Sequence, residues 1–468
     1  MKTYDKIFYN GKWRTSTGNN YLDVIDSNTE KPIAKVINAT HEDVDAAVDS
    51  ARKSFPAWNE TDPKERALFV QKILAGVIDR RSEIEETIIA ELGSAKRFVQ
   101  EGQVDMSINE IAATLEEFEH FSFAEPLDNT IIQKEGTGVV ACITPWNYPL
   151  NQIQRKITPA LLTGNTVVVN PASDTPLTAI LYAEIIEDAG LPDGVFNLIT
   201  GKGSDTGDYL SKHPDVDMIS FTGSTAVGKG LYTNASTTVK KLVLELGGKS
   251  AMVYLKGGDL KFAVKSAADT VLDNQGQTCS ALTRLFVPAD ELETTKQILK
   301  DYYADVVVGD PKNDHTKVGP MVSKTQMERV LSYIEKGKEE GAEVLLGGHR
   351  VDRPGYFIEP TVFVNVKNDM TIAQEEIFGP VLSVLTYDTP GEALRLANDS
   401  NYGLSGAVVG PPDQAYDFAK KMRTGNVSVN NSEDSSKAPF GGYKQSGLGR
   451  ENGIYGLEDY LEIKTIFQ

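Results

Sequence analysis

Apolar and polar positions follow two rhythms along this chain, and the rhythm changes near residue 137. In the first stretch the apolar positions recur at helical spacing. Val44, Ala47, Val48 and Ala51 follow Thr40, with Asp43 placed as in a capping box, and the run stops before Pro56. A second run starts near Thr61-Asp62-Pro63 and carries Ile73, Leu74, Val77 and Ile78. A third, from Ser82, is dense in Glu and Ile. The first third is therefore expected to be helix-rich, built from amphipathic helices without chemistry of their own.

From residue 137 onward, short apolar runs bounded by turn residues appear: GVVACIT (138–144), TVVVN (166–170), VFNLITG (195–201), DMISFTG (217–223) and KLVLELGG (241–248). Helical stretches such as 176–192 separate them. Strands alternating with helices predict βαβ units and a parallel sheet, so the fold class is α/β. In such sheets ligands bind beyond the C-terminal strand ends. Asn147, Asn170, Gly223, Ser224 and Glu245 all fall there. A second alternation, SAMVYL, RLFVP, PVLSVLTY and AVVG with helices such as 322–340 between, predicts a second α/β unit from Ser250 to about 430. Residues 431–449 form a long loop rich in Gly, Ser and Lys, and loops of that length are commonly functional or mobile.

At 468 residues the chain is long enough for two or three domains. Its net charge of -19, from 47 Lys+Arg against 66 Asp+Glu, argues against nucleic-acid and anionic-membrane partners, which need a basic footprint. Two cysteines cannot build a disulfide framework, and residues 1–18 lack a secretory apolar core, so a reducing, cytoplasmic setting is expected. No stretch approaches the length of a spanning helix. The five histidines lie far apart without metal-ligand spacing, and no metal is expected.

Candidate chemistry centres on Cys279, in NQGQTCSA (274–281). Its flanks read as polar and flexible, the setting of an accessible nucleophile, whereas Cys142 in VVACI reads as an inert core thiol. Glu245 closes an apolar strand, where partial desolvation raises a carboxyl pKa and suits a general base. A capping or salt-bridged role is the plainer reading of that residue alone. Asn147, fixed between prolines in TPWNYP, offers an amide donor for an oxyanion, or simple turn chemistry. FTGSTAVGKG (221–230) offers a helix N-terminus to a phosphate, but lacks both the GxGxxG and the phosphate-loop endings.

Taken in order, TPWNYP, FTGSTAVG, LELGGKS, NQGQTC, EEIFGPV (375–381) and PFGGYKQSGLGRE (439–451) resemble the aldehyde dehydrogenase superfamily, and the likeness runs from FYNGKW (8–13) into the C-terminal tail. The resemblance implies a Rossmann-like cofactor domain (1–118 and 138–245), an α/β catalytic domain (246–437) and a small β oligomerisation element with the tail (119–137 and 438–468). It implies a homodimer or homotetramer. It places Cys279 as nucleophile, Glu245 as the base that activates water, and Asn147 as oxyanion donor. The implied cofactor is NAD, with NADP possible. Its contacts would be Ile143, Thr144, Pro145 and Trp146, then Asn170, Ser173, Gly223, Ser224, Val227 and Leu246, with Glu376 and Phe378 at the nicotinamide side. The substrate would meet Tyr148, Gln152, Arg155, Thr278 and Ser280.

The sequence departs from the family pattern after the second strand. Asn170 stands where a Lys is common, and Ser173 where NAD-preferring members carry Glu. Loss of the Glu makes a 2′-phosphate tolerable, and loss of the Lys removes the cation that would attract it. The expected outcome is dual or NAD-leaning use with weakened binding. Arg155 matches half of a carboxylate clamp found in semialdehyde-oxidising relatives, or else serves in an interdomain salt bridge. The other half of the clamp is replaced by Asp273, whose charge would repel a carboxylate. With the polar loop NSEDSSKA (431–438) expected at the substrate mouth, a small or polar, non-aromatic aldehyde is the expected substrate. Acyl transfer to coenzyme A, a cofactor-free thiol esterase and a non-enzymatic binding role remain the competing readings. Glu245 favours water over coenzyme A.

Overall fold

The structure is a computed structural model, and it describes residues 1–432 and 434–467. Glu433, in the 431–438 loop, and Gln468 lie outside the described residues.

The five apolar runs after residue 137 all form strands: Val139–Ile143, Thr166–Asn170, Phe196–Leu198, Met218–Thr222 and Lys241–Glu245. They pair in parallel at the centre of an eight-stranded sheet. Every residue of Val139–Ile143 and Thr166–Asn170 is buried, as continuous apolar runs covered on both faces require. From Val139–Ile143 the chain builds outward to one side through residues 166–170 and 196–198. It then returns to add residues 218–222 and 241–245 on the other side. The strand order therefore reverses between Val139–Ile143 and Met218–Thr222, and the crevice at such a reversal is where ligands bind.

The second unit is a seven-stranded sheet whose central strands are Ala251–Tyr254, Arg284–Pro288, Val381–Tyr387 and Ser405–Val409, paired in parallel. Thr361–Val364 and Asn426–Val429 extend it, and Glu343–Leu346 closes one edge antiparallel. These three short strands are not distinct in the sequence pattern, because a four-residue run carries too little periodicity.

The helix-rich first third is preceded by five strands within residues 1–37, for which the sequence pattern predicts no element. Lys2–Tyr4, Tyr21–Asp26 and Lys31–Ile37 form their own sheet, and Lys6–Tyr9 with Lys12–Thr15 extends the large sheet through the pair Leu198 and Phe8. The helices follow as expected from Thr40, whose side chain caps His41–Glu60 in a full capping box with Asp43. That helix runs through Pro56 rather than ending before it. The next two helices are Pro63–Asp79, with Asp62 as its cap, and Arg81–Leu92.

A separate three-stranded antiparallel sheet joins Ala124–Leu127, Thr130–Gly136 and Leu461–Phe467. Its outer strand leaves Ile463 70% and Phe467 79% exposed. The segment 438–468 does not all belong there. Gly447–Leu448 pairs with Leu244 and Glu245 at the edge of the large sheet. Among the described residues, no helix is long and apolar enough to cross a membrane.

Candidate active site

Cys279 sits on a turn whose polar residues are structural pegs rather than flexible flanks, which corrects the sequence reading. Asn274, Gln275 and Gly276 are consecutive left-handed residues, with φ of 50°, 57° and 68°. Left-handed backbone is unfavourable for side-chain-bearing residues, so hydrogen bonds must fix it. Gln275 Nε2 donates to the Gly93 carbonyl at 2.9 Å, and Gln277 Oε1 accepts from Val322 N at 3.0 Å. Asn274 Nδ2 donates to the Asn147 carbonyl at 2.9 Å. At Gly276 a Cβ would lie 2.1 Å from the Gly379 carbonyl oxygen, so the close approach of two backbones demands glycine. Residues 274–277 are buried, and only Thr278, Cys279 and Ser280 emerge half-exposed at the tip.

Asn147 is buried beside this turn. Its Nδ2 donates to the Gln277 carbonyl at 2.9 Å, which orients the amide two residues from the thiol and leaves its second N–H for another acceptor. Tyr148 Oη and Thr278 Oγ1 lie 2.8 Å apart, tying the helix start at Pro149 to the same turn. Burial pushes the Cys279 thiol up to about 12, with Glu376 and Glu245 adding negative potential and Arg155 opposing them. Cys142 is wholly buried and is likewise pushed up to about 12 by burial.

Glu245 ends its strand with both carboxylate oxygens buried and without a hydrogen-bond partner. Burial holds its pKa well above the usual carboxylate range. Glu451 adds like-charge repulsion, and Lys156, Arg155 and Arg450 oppose it. A carboxylate so placed is poised to take a proton. Glu451 and Lys156 were not singled out from the sequence. Lys156 Nζ donates to Glu451 Oε1 at 2.7 Å and to Thr222 Oγ1 at 2.8 Å, with both charged side chains almost fully buried. A lysine in mid-helix and a glutamate in a glycine-rich loop carry no local signal; only the fold brings them to Glu245.

The remaining cofactor candidates lie on the strand ends of the large sheet, the segments that follow them, and the 376–378 segment. Trp146 and Phe378 meet edge-to-face at 5.3 Å, and Phe378 holds a left-handed φ of 61°. Glu376 Oε1 accepts from Gly248 N at 3.1 Å, and burial raises its carboxyl to about 7. Ser224 caps the helix Thr225–Ala235 through Val227 N, while Gly223 N donates to the Glu245 carbonyl at 3.0 Å. A Cβ on Gly228 would strike Leu246 at 2.6 Å, so that glycine seats the helix against the strand end. Val227 leaves its side chain 51% exposed on the first turn. Ile143 is buried at its strand end, Pro145 is half-buried in the following turn, and Ser173 is half-buried beyond Asn170. Thr144 Oγ1 and Asn170 Oδ1 are buried acceptors without a partner. Asn170 Nδ2 donates to the Ile199 carbonyl at 3.1 Å, so the free end of this amide is its oxygen.

The substrate candidates line a cavity of about 360 Å³ that reaches Cys279: Tyr148, Gln152, Arg155, Thr278 and Ser280 are all on its wall. Arg155 is not a free clamp. Its Nε and Nη2 grip Glu110 at 2.9 and 2.5 Å, and its guanidinium lies over the Phe440 ring at 4.7 Å. Asp273 does not face this cavity. It pairs with Lys317 at 2.7 Å and lines a different cleft, so the repulsion expected from it is directed elsewhere. Ser435, Ser436 and Ala438 of the predicted mouth loop do line the cavity.

The profile of the aldehyde dehydrogenase family matches residues 13–466. A Staphylococcus aureus (strain bovine RF122 / ET3-1) relative is 42% identical over 470 residues, spanning all of this chain and 99% of its own. Aldehyde dehydrogenase C of Pseudomonas syringae, a variant solved with NAD+ and octanal, superimposes with a TM-score of 0.98 at 40% identity. That match covers 99% of this chain and 96% of its own. The Bartonella henselae aldehyde dehydrogenase gives a TM-score of 0.98 at 39% identity over the whole of both chains. With the order of motifs, the reversal crevice and the thiol-bearing turn all in agreement with a match of this extent, the chain belongs to the aldehyde dehydrogenase family.

Proposed function

We propose that this protein oxidises an aldehyde to the carboxylic acid through a covalent adduct on Cys279, with NAD(P) as the oxidant. The observation that carries this reading is the unpartnered, buried Glu245 carboxylate facing the Cys279 turn.

The crevice suits a dinucleotide. A helix N-terminus opens at Ser224, just beyond the strand end at Thr222. Gly223 and Ser224 would hold the pyrophosphate, Asn170 and Ser173 the adenosine ribose, and Val227 and Leu246 the base. Ile143, Thr144, Pro145, Trp146, Glu376 and Phe378 would hold the nicotinamide half. When bound, this group supplies the acceptor for the hydride that leaves the substrate carbon.

The protein supplies the rest. The Cys279 sulfur, as thiolate, adds to the aldehyde carbonyl and forms a thiohemiacetal oxyanion. The free Asn147 N–H and the Cys279 backbone N–H hold that charge, an interaction worth about 3 kcal/mol in comparable sites. Loss of hydride leaves a thioester on Cys279. Glu245 then takes a proton from water, the hydroxide oxygen bonds to the thioester carbon, and the C–S bond breaks to release the acid. The two carboxylates near Cys279 disfavour its thiolate, so neutralising either one activates the sulfur. The strands of residues 124–136 and 461–467 form the oligomerisation arm of a homodimer or homotetramer.

The test is a C279A and E245Q pair assayed for aldehyde-dependent reduction of NAD(P). C279A abolishes all turnover. E245Q keeps a first burst of reduced cofactor and loses steady-state turnover by about 100-fold or more. A C279A protein that still reduces cofactor with aldehyde refutes the reading.

A further inference from the structure

Asn147 is held at both ends by one ring of amides. Its side-chain Nδ2 donates to the Gln277 carbonyl at 2.9 Å, and its backbone carbonyl accepts from Asn274 Nδ2 at 2.9 Å. Asn274 Nδ2 also reaches the Gln277 carbonyl at 3.2 Å, which closes the ring. A second donor comes from outside the thiol-bearing turn. Gln103 Nε2 donates to the Asn147 carbonyl at 3.2 Å and to Asn274 Oδ1 at 3.4 Å. Backbone carbonyls cannot donate, so neither the Asn274 nor the Gln103 amide can turn over without losing a bond.

Gln103 is specialised for this contact. It lies in the π-helical segment Val99–Asp105, a wider winding than the α-helix that is rare and frequently marks a functional site. The side chain is wholly buried, and its Oε1 has no partner among the described residues. Both bonds that offset the burial of this amide therefore go to the Asn147 cluster. An apolar side chain would fill the same volume without that burial cost, so packing alone does not call for glutamine here. Phe98, just before the segment, packs edge-to-face on Tyr148 at 6.1 Å, so the same stretch also backs the residue that follows Asn147.

We infer that Gln103 and Asn274 are positioning residues for the chemistry at Cys279: they fix the Asn147 backbone and, through it, the direction of the amide N–H that meets the oxyanion. Neither residue lines the Cys279 cavity, so their effect passes through Asn147. The inference rests on the aldehyde-oxidising reading of Cys279 and adds the support that its oxyanion donor needs.

The test compares Gln103→Met, Asn274→Gly and Asn147→Ala, and each of the first two combined with Asn147→Ala. Methionine keeps the length of glutamine without its donors, and glycine accepts the left-handed φ of 50° at position 274. Two rates are read on the protein with NAD bound: first-turnover formation of reduced cofactor from propanal, and alkylation of Cys279 by iodoacetamide. The first passes through an oxyanion. The second forms a C–S bond with loss of iodide and makes none. Asn147→Ala should slow the first turnover by about 100-fold or more. Gln103→Met and Asn274→Gly should each slow it by about tenfold and leave alkylation within about twofold. Added to Asn147→Ala, either should cost less than about twofold more, because the amide they aim is gone. A further loss of about tenfold in that background, or an equal fall in alkylation, shows general support of the turn and overturns the inference, while aldehyde oxidation stands. An unchanged first turnover in the single variants overturns it as well. Gln103→Asn, one methylene shorter, withdraws the donor and takes the place of Gln103→Met in the same cycle if the methionine variant does not fold. A parent protein that reduces no cofactor with propanal, octanal or glyceraldehyde overturns the functional reading and this inference together.

Discussion

Gly276→Ala isolates what the thiol-bearing turn requires. Two separate terms act on this substitution. The first is backbone strain: alanine at a φ of 68° costs about 1–2 kcal/mol, whatever surrounds it. The second is steric. The new Cβ would stand 2.1 Å from the Gly379 oxygen and 2.4 Å from its carbonyl carbon, where ordinary contact begins at 3.4 Å. Both clashing atoms are backbone, so the turn and the 379–380 segment must separate by more than an ångström. A displacement of about 1 Å in a reacting group costs about 100-fold in rate. Gly190 supplies the control. It caps the helix Pro176–Ala189 at a nearly identical φ of 72°, and a Cβ there meets nothing within 4 Å. Urea unfolding and steady-state formation of reduced cofactor should therefore diverge. Both alanine variants lose about 1–2 kcal/mol of stability from the shared strain, G276A loses more, and only G276A loses about 100-fold in kcat. G276A turning over within about threefold of the parent, or G190A falling equally far, would refute the steric account.

Three further outcomes follow from buried charges and from the crevice. Glu451→Gln removes the like charge that raises Glu245 while keeping an acceptor for Lys156, so the pH profile of thioester hydrolysis should shift to lower pH. An unmoved or raised profile contradicts that coupling. Glu91 is fully buried, accepts from Leu177 N, Thr178 N and Thr178 Oγ1, and is raised by burial to about 7. The folded state holds its proton longer than the unfolded state, so this group makes stability fall as pH rises from about 4.5 to 7, by about 3 kcal/mol. Glu91→Gln should flatten that fall in urea unfolding, and an unchanged pH slope argues against it. Finally, Asn170 supplies no cation to attract a 2′-phosphate, and Ser173 no carboxylate to repel one. Initial rates should show dual use or a lean to NAD; an NADP preference above about 100-fold, near 2.7 kcal/mol, refutes this.

The sequence disclosed those parts whose signal is local. Five continuous apolar runs became the five parallel strands at the centre of the large sheet, because strands buried on both faces cannot hide polar positions. The capping box at Thr40 and Asp43 is likewise a contact between near neighbours. What escaped depends on distant pairing. The N-terminal strands read as unpatterned because two join the large sheet and the others form a small sheet exposed along much of its length. Arg155 stayed open between a substrate clamp and an interdomain salt bridge because its partner Glu110 lies on another helix of the same unit. Gln275 and Gln277 looked flexible because polarity in a sequence does not distinguish a solvated side chain from a buried peg.

The edge strand at Gly447–Leu448 bears on how the protein is made. It pairs with Leu244 and Glu245, while Leu246 N donates to Ser446 and Lys156 waits for Glu451. Everything that surrounds the base from that side comes from residues translated long after Cys279 has left the ribosome. A nascent chain with its thiol already synthesised still lacks the wall that desolvates Glu245. Residues 446–451 are part of the burial that raises the Glu245 pKa, so that shift belongs to the finished fold. On the proposed role of Glu245, the hydrolytic half of the chemistry needs these last residues in place, whereas the thiol-bearing turn precedes them in the chain.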